Sequence, residues 1–352
     1  MEVDRRLIEE LGTDADAEAV AEAAGLRYVH DDEPGIRRRV RGRGFSYLRD
    51  DGTVAGEAER GRIEALAIPP AWTDVWICRD PDAHLLVTGL DDADRKQYLY
   101  HPRWREVRDL QKFDRLAGFG DALIELRRAV GADLRRRGLP VERVAAAVVR
   151  LIDASLIRVG NERYAEDNET FGVTTLQPKH VRSAQGDLAL CFNGKGGQAH
   201  RLVVEDRAVG TVIEACLEQP GPQLFCAKVD GRSVPITAPL VNEYLHRIGG
   251  EHVTAKDFRT WGATAIATGV LGPLPGHPRE GETADAEHHV LTALDAAAAA
   301  LGNTRAVCRS AYVAPAVLAA YRDGELGEDW RSSRSGRWRS RAEVTTAKSL
   351  GR

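Results

Sequence analysis

Five polar side chains between residues 158 and 312 have types that together could carry out chemistry on a phosphate ester. They are Arg158 in LIRVGNERY, Lys195 in FNGKGG, Arg259 in KDFRTWG, and Asn303 and Tyr312 in LGNTRAVCRSAYV. An attacked phosphodiester gains negative charge on its equatorial oxygens, and the always-ionised, fork-shaped guanidinium of arginine suits that charge. The arginines therefore predict a site that stabilises a phosphoryl transition state.

The remaining members of the set can supply a nucleophile and an acid. A tyrosine phenol has an ordinary pKa of about 10, so neighbouring cations must help it to ionise. A lysine can protonate the leaving alkoxide if its pKa is lowered. Attack by Tyr312 on a DNA phosphodiester would form a covalent intermediate that keeps the energy of the bond. We therefore expect neither ATP nor a metal, and no other cofactor.

Length and composition are those of an ordinary globular protein. The length of 352 residues is enough for two domains with their own cores. The composition, 43% hydrophobic and 29% charged, is typical of globular proteins. The sequence has no apolar run of membrane-spanning length, and MEVDRRLIEELG does not read as a signal peptide. The cysteines show no C-x-x-C spacing, so we expect reduced thiols in a cytoplasmic protein rather than disulfides or zinc. They are Cys78, Cys191, Cys216, Cys226 and Cys308.

The net charge of −4 does not suggest a nucleic-acid enzyme, but the charge is unevenly distributed along the sequence. Residues 1–35 hold 3 basic and 11 acidic residues, whereas residues 330–352 hold 7 basic and one acidic. Local patches matter more than total charge for binding nucleic acid. We predict an acidic leader over 1–35, a β-rich domain over 36–104, a catalytic domain over 105–324 and a mobile basic tail over 325–352.

The predicted β-rich domain contains two candidate DNA-binding stretches. Strands are predicted over Gly44–Leu48 and within Trp76–Thr88. The block RRRVRGR at residues 37–43 either contacts a phosphate backbone or is a solvated charge run, and the sequence favours neither. In RKQYLYHP, alternation places Tyr98 and Tyr100 on one face beside Lys96, which suits DNA contact, although a pair of core tyrosines is also possible.

From about residue 105 the apolar spacing becomes helical. Helices are predicted over Trp104–Leu116, Asp121–Arg137 and Val141–Tyr164, the last of which contains Arg158. Asn-Gly and Gly-Gly around Lys195 predict a tight hairpin. Thr254 and Asp257 can cap the helix of Arg259, and a helix over Ala284–Leu301 ends at Gly302, after which Asn303 or Thr304 caps the helix of Tyr312.

These motifs, in this order, resemble the small, poxvirus-type and bacterial type IB DNA topoisomerases. The resemblance covers roughly residues 37–324 and is carried by GLDDADRKQYLYHP, LIRVGNERYAEDNETFGVTTLQPKHV, FNGKGG, KDFRTWGAT and LGNTRAVCRSAYV. It implies an α+β fold, with a small β-rich N-terminal domain and a larger, mainly helical catalytic domain that form a C-shaped clamp on DNA. It also implies a monomer that acts on duplex DNA, preferably supercoiled, in the nucleoid.

The resemblance implies a role for each member of the set. Arg158 and Arg259 would stabilise the transition state, Lys195 would protonate the 5′-hydroxyl leaving group, and Tyr312 would form a 3′-phosphotyrosyl bond. Matching positions also suggest DNA contacts by Tyr98, Tyr164 and Lys256. Asn303 departs from the family, which usually has histidine there; its amide can donate a hydrogen bond but cannot carry charge or shuttle a proton.

Two alternatives remain open at the level of sequence. A tyrosine site-specific recombinase shares the Arg, Lys, Arg, Tyr logic, but the RKQYLYHP and RVGNERY contexts favour a topoisomerase. A DNA-binding protein that has lost catalysis is the other, and the intact set of Arg158, Lys195, Arg259 and Tyr312 counts against it.

Overall fold

The computed structural model describes residues 15–162, 169–184, 187–274 and 283–327, and the chain divides into two compact units, Met1–Arg115 and Leu116–Arg352. Most of the predicted acidic leader is described, whereas nearly all of the predicted basic tail and Tyr164 lie outside the described residues. The four segments inferred from the sequence, with their three boundaries, remain predictions. Among the described residues, no helix is both long enough and apolar enough to cross a lipid bilayer.

The first unit is built on a five-stranded antiparallel sheet with the strand order β2-β1-β3-β4-β5. Apolar side chains of the sheet, including Ile36 and Ile77, bury against Ile63 of a helix that packs on it. The strands predicted over Gly44–Leu48 and within Trp76–Thr88 are confirmed, but the arginine block itself also forms a strand. The strands are β1 Ile36–Arg41, β2 Gly44–Arg49, β3 Thr73–Ile77, β4 Leu85–Leu90 and β5 Lys96–Tyr100, and the helices are α1 Ala17–Ala23 and α2 Glu57–Ala65.

One arginine of the block is part of the core of this unit. Arg38 is 9% exposed and donates to the carbonyls of Pro69, at 3.0 Å, and Trp72, at 2.5 Å. Its guanidinium also lies over the ring of Phe45, 4.3 Å from the centroid. A buried cation needs such partners, because leaving it unpaired is costly. Arg38 therefore ties β1 to the segment before β3.

A single long helix, α3 Pro102–Asp133, replaces the two helices predicted over Trp104–Leu116 and Asp121–Arg137. The prediction that one helix ends at Leu116 and the next begins at Asp121 was wrong, because tertiary packing outweighs the cost of about 1 kcal/mol for a helical glycine such as Gly118 or Gly120. A side chain at Gly120 would come within 2.5 Å of the Trp261 ring, and the neighbouring Phe119 packs edge-on against Phe258 at 5.1 Å. The glycine lets a later helix approach closely.

The second unit is mainly helical, as predicted, and the α+β class is confirmed. Its largest core cluster surrounds α4, and a second cluster joins α7, α8 and the last two helices. The helices are α4 Val141–Ser155, α5 Arg207–Leu217, α6 Ala238–Gly249, α7 Ala255–Leu271, α8 Thr283–Leu301, α9 Arg305–Ala311 and α10 Pro315–Arg322. β6 Val181–Ala184, β7 Asp187–Asn193 and β8 Ala199–Val203 form an antiparallel sheet, and β9 Cys226–Val229 pairs with β10 Arg232–Pro235.

Replacing Arg38 by alanine should destabilise the first unit by about 2–3 kcal/mol, because several buried carbonyls lose a charged donor. Urea denaturation followed by tryptophan fluorescence measures the loss, and hydrogen exchange of the β1 and β2 amides locates it. Arg39→Ala is the matched control, because Arg39 is exposed on the same strand and its loss should change stability by no more than about 0.5 kcal/mol. Equal effects of the two substitutions would contradict a structural role for Arg38.

Candidate active site

Five of the residues predicted from the sequence line one cavity of about 300 Å³ in the second unit. Four of them, Arg158, Lys195, Arg259 and Tyr312, belong to the proposed catalytic set, and Lys256 was expected to contact DNA. They come from a loop, a hairpin and two helices that are far apart in the sequence. The fold therefore gathers four cations, two arginines and two lysines, around one phenol.

Arg158 lies in a loop and not in a helix, which corrects the prediction of a helix over Val141–Tyr164. The helix α4 ends at Ser155 because Leu156 adopts a left-handed conformation with φ 56°. The loop is then held by a later segment, because the Val173 amide donates to the Arg158 carbonyl at 3.0 Å. At Gly172, an added side chain would lie 2.6 Å from the same carbonyl. Close backbone packing thus fixes the loop that presents Arg158.

Arg259 is the most buried cation of the site, with only 4% of its surface exposed. Its guanidinium donates to the carbonyl of Leu301 at 3.0 Å and to the carbonyl of Leu156. Burial lowers the pKa of Arg259, but an arginine starts so high that it stays protonated. The predicted cap of its helix is confirmed, since the Thr254 amide and hydroxyl both donate to the Asp257 carboxylate at 2.7 Å.

Tyr312 follows the last residue of α9 and its ring faces Arg259. The central carbon of the Arg259 guanidinium lies 5.2 Å from the ring centroid. Burial raises the pKa of the Tyr312 phenol, but the positive charges of Arg259, Arg158 and Lys256 outweigh burial and bring the pKa below its ordinary value. The phenol is therefore easier to ionise here than in water, as a nucleophile requires.

The backbone at Tyr312 is fixed by a threonine that the sequence analysis did not single out. The Thr264 hydroxyl donates to the Tyr312 carbonyl at 3.1 Å and accepts from the Ala314 amide at 3.1 Å. Thr264 belongs to α7, the same helix that carries Arg259. A threonine within a helix gives no sequence signal for this role, because the partner lies 48 residues away in the chain.

Asn303 contacts Arg158 but is not among the residues that line the cavity. Its side-chain oxygen accepts from the Arg158 guanidinium at 2.7 Å, and its amide nitrogen is buried without a partner among the described residues. Of the two capping residues allowed by the sequence, Thr304 caps α9, because its hydroxyl accepts from the Val307 amide at 3.3 Å. The amide nitrogen of Asn303 is therefore left unused as a donor.

Lys195 lies at the exposed tip of the hairpin between β7 and β8, as predicted. The tip residues Gly196 and Gly197 have φ values of 78° and 74°, which favour glycine. The hairpin also touches the turn before Asn303: a side chain added at Gly302 would come within 2.4 Å of the Gln198 amide oxygen. The lysine is thus exposed at a tip whose base packs against the turn before Asn303.

The candidate DNA-binding residues of the first unit lie together on β5. The Tyr98 and Tyr100 rings stack with centroids 5.8 Å apart, and Tyr98 is the more exposed of the two, at 44%. Burial raises the pKa of Tyr100, which packs against core clusters. Lys96 forms an ion pair with Asp31 at 2.6 Å, so the acidic leader already occupies this cation. A DNA phosphate would have to compete with that carboxylate.

Comparison with known proteins gives family matches over most of the chain. Residues 101–324 match the family described as eukaryotic DNA topoisomerase I, catalytic core, and residues 44–91 match the bacterial DNA topoisomerase IB N-terminal domain. The DNA topoisomerase 1B of Acanthamoeba polyphaga mimivirus is 29% identical over 295 residues, which cover 82% of this chain and 88% of the relative. The DNA topoisomerase 1B of Vaccinia virus (strain Copenhagen) is 20% identical over 274 residues, 74% and 81% of the two chains.

Among solved structures, the XerH site-specific recombinase bound to its palindromic difH substrate aligns with 54% of this chain and 47% of its own, at 15% identity and a TM-score of 0.34. That likeness is too low to bear on function. The match to the catalytic core covers well over half of the sequence and is joined by the bacterial N-terminal match. The chain belongs to the type IB DNA topoisomerase family, whose members are isomerases.

Proposed function

We propose that the protein relaxes positive and negative DNA supercoils by transient cleavage of one strand, through a 3′-phosphotyrosyl bond to Tyr312. The observation that carries the proposal is the shared cavity of Tyr312, Arg158, Arg259 and Lys195, in which the pKa of the phenol is lowered. A nucleophile, anion-stabilising cations and a proton donor are the parts that this transesterification needs.

The reaction exchanges one phosphate ester for another. The Tyr312 phenol loses its proton to solvent, its oxygen bonds to phosphorus, the bond from phosphorus to the 5′ oxygen breaks, and Lys195 gives that oxygen a proton. Arg158 and Arg259 donate to the equatorial oxygens while their charge develops. Because the ester is conserved, the reverse attack by the 5′-hydroxyl reseals the strand after rotation. The exchange needs no energy from ATP and no metal to activate the nucleophile.

The burial of Arg259 suits a fixed electrostatic role. Its terminal nitrogens already hold two carbonyls, and its Nε is buried without a partner among the described residues. A preorganised cation does not have to reorient when charge appears on the phosphate. Lys195, at an exposed and glycine-rich tip, is the member of the set that can move to reach the leaving oxygen.

Asn303 has two tasks in this proposal. Its oxygen accepts from Arg158, and its amide nitrogen, buried without a partner among the described residues, is the donor that we assign to a phosphate oxygen. The usual histidine of the family can do the second task with a positive charge, whereas the amide remains neutral. We therefore expect weaker stabilisation at this position and no titration from it.

The protein would act as a monomer on duplex DNA of the nucleoid, with a preference for supercoiled DNA. Tyr98, with Tyr100 beneath it, and Lys96 would contact the duplex, as would Lys256 beside the cleavage cavity. Tyr164 is a further proposed contact outside the described residues. A recombinase would need a synaptic assembly of several protomers, and the family match gives no support to that alternative.

Replacing Tyr312 by phenylalanine should abolish relaxation of negatively supercoiled plasmid, because the ring loses its only nucleophilic oxygen. The assay contains EDTA and omits ATP, and the wild type should relax the plasmid completely at a substoichiometric amount. Trapping with detergent should give a covalent DNA adduct with the wild type alone. Failure of the wild type to relax DNA under these conditions, or activity of the phenylalanine variant, would overturn the proposal.

Asn303→Ala should slow single-turnover cleavage by about 10²-fold without changing the shape of its pH profile, because one neutral donor is lost. Asn303→Asp tests the two tasks separately. It keeps the oxygen that accepts from Arg158, but it removes the donor and brings a negative charge towards the phosphate, so it should be slower than alanine. Cleavage by Asn303→Ala at the wild-type rate would remove Asn303 from the site.

Lys256→Gln should move the rise of cleavage rate with pH to higher pH. The charge of Lys256 helps to lower the pKa of Tyr312, so removing it returns the phenol towards its ordinary pKa of about 10 and leaves less phenolate at any lower pH. Single-turnover cleavage between about pH 6 and 10 measures the shift. Lys228→Gln, an exposed lysine on β9, is the matched control. Superimposable profiles for the wild type and Lys256→Gln would contradict this electrostatic role.

A further inference from the structure

The hairpin of β1 and β2 extends beyond the core of the first unit. Along the core-facing side of β1, the exposed fraction rises from 0% at Ile36 and 9% at Arg38 to 79% at Val40. The last buried rung pairs Arg38 with Tyr47, and three further rungs follow. At about 3.3 Å per residue, the tip reaches roughly 10 Å past that rung. Val40 is an apolar side chain at this tip with almost no protein around it.

The tip is also strongly cationic. Arg39, Arg41 and Arg43 are all exposed, and in the described parts of the chain no acidic side chain pairs with them. The stretch from residue 39 to residue 46, RVRGRGFS, contains no acidic residue. Three unneutralised charges within five residues repel one another, which favours binding of a polyanion.

The arginine block of the sequence therefore has two parts with different surroundings. Arg37 forms an ion pair with Asp74 at 3.6 Å, and Arg38 is buried against backbone carbonyls. From Arg39 onwards no such partner is found among the described residues. The first two arginines make contacts that stabilise the fold, whereas the other three have no such contacts among the described residues.

The shape of the tip fits a groove of double-stranded DNA. A two-stranded β-ribbon is narrow enough to enter the major groove, which is about 12 Å wide and 8.5 Å deep. Gly42, with φ 59°, forms the turn, and a side chain added at Gly42 or Gly44 would meet nothing within 4 Å. The missing side chains keep the end of the ribbon slim. Its reach of about 10 Å matches the depth of the groove.

We propose that the tip formed by residues 39–44 enters the major groove of the duplex, with Arg39, Arg41 and Arg43 on phosphates and Val40 towards the base edges. The apolar side chain would contact thymine methyl groups, the one apolar feature that bases present in that groove. The tip is a DNA contact of the first unit, whereas the residues of the cleavage cavity belong to the second. The proposal rests on duplex DNA as the substrate, but not on the cleavage chemistry.

Equilibrium binding in the Tyr312→Phe background separates the two proposals, because no cleavage contributes. The probe is a 30-base-pair fluorescent duplex, titrated between 50 and 200 mM NaCl. Each phosphate contact contributes about 0.9 to the slope of log affinity against log salt, so Arg39→Gln, Arg41→Gln and Arg43→Gln together should lower the slope by about 2.7. Across this range, the parent should lose roughly 40 times more affinity than the triple variant.

The matched control removes three arginines that already pair with acids three or four residues away in the sequence. Arg60, Arg128 and Arg136 pair with Glu64, Glu125 and Asp133, respectively. The triple glutamine variant of these residues changes the net charge equally and should leave the slope unchanged. An unchanged slope for the tip variant, or an equal fall for both variants, would overturn the proposal. If the tip variant behaves as expected while the wild type fails to relax plasmid, the groove contact stands and the proposed cleavage function falls.

Val40 gives a second, independent readout. Val40→Ser removes the apolar contact but no charge, so affinity should fall by about three- to tenfold at every salt concentration, with the slope unchanged. Because Val40 is exposed, the substitution leaves the fold intact, which thermal unfolding verifies. Wild-type affinity of Val40→Ser would remove the base-edge contact and with it the groove orientation of the tip.

Discussion

The buried guanidinium of Arg259 holds the active site together. It joins the carbonyls of Leu156 and Leu301, which lie at the ends of α4 and α8. The last carbonyls of a helix lack partners within that helix and carry partial negative charge, so a cation placed there is stabilised. One side chain thereby sets the distance between the loop of Arg158 and the turn of Asn303. The hydrogen bond between those two residues depends on that spacing.

The same arrangement concentrates positive charge where the fold gains little from it. Burial and then the charge of Arg158 lower the pKa of Arg259 and of the partly buried His200, and the charges of Arg259, Arg158 and Lys256 outweigh burial and lower the pKa of Tyr312. Like charges held together in a partly buried cavity cost stability, and an anionic phosphate relieves that cost. In the proposed function, the site would therefore favour a bound phosphodiester, and would favour still more the charge of its transition state. Function and stability pull in opposite directions here.

The sequence predicted the members of the site better than their local settings. Side-chain types and motif order singled out Tyr312, Arg259 and Lys195, which the structure brings to one cavity, and their catalytic roles remain a proposal. Periodicity placed Arg158 in a helix, because nothing in the residues signals that Leu156 turns left-handed. Periodicity also predicted two helices in place of α3. The close approach of Trp261 to Gly120 could not be foreseen, because it is a contact with a distant part of the chain. Interactions between remote residues, such as the one that makes Thr264 hold Tyr312, leave no local pattern.

The arginine block shows why net charge was a poor guide to this protein. A solvent-exposed run of arginines and a phosphate-binding patch can have the same sequence, and only the partners of each side chain distinguish them. Many cations of the first unit, such as Arg27 and Arg49, are neutralised by nearby carboxylates. Those of the hairpin tip have no such partner among the described residues. An acidic protein can therefore present a strongly basic surface, because acids neutralise only the cations that they can reach. The pairing of Lys96 with Asp31 extends the argument, since there an acid occupies the position that a phosphate would take.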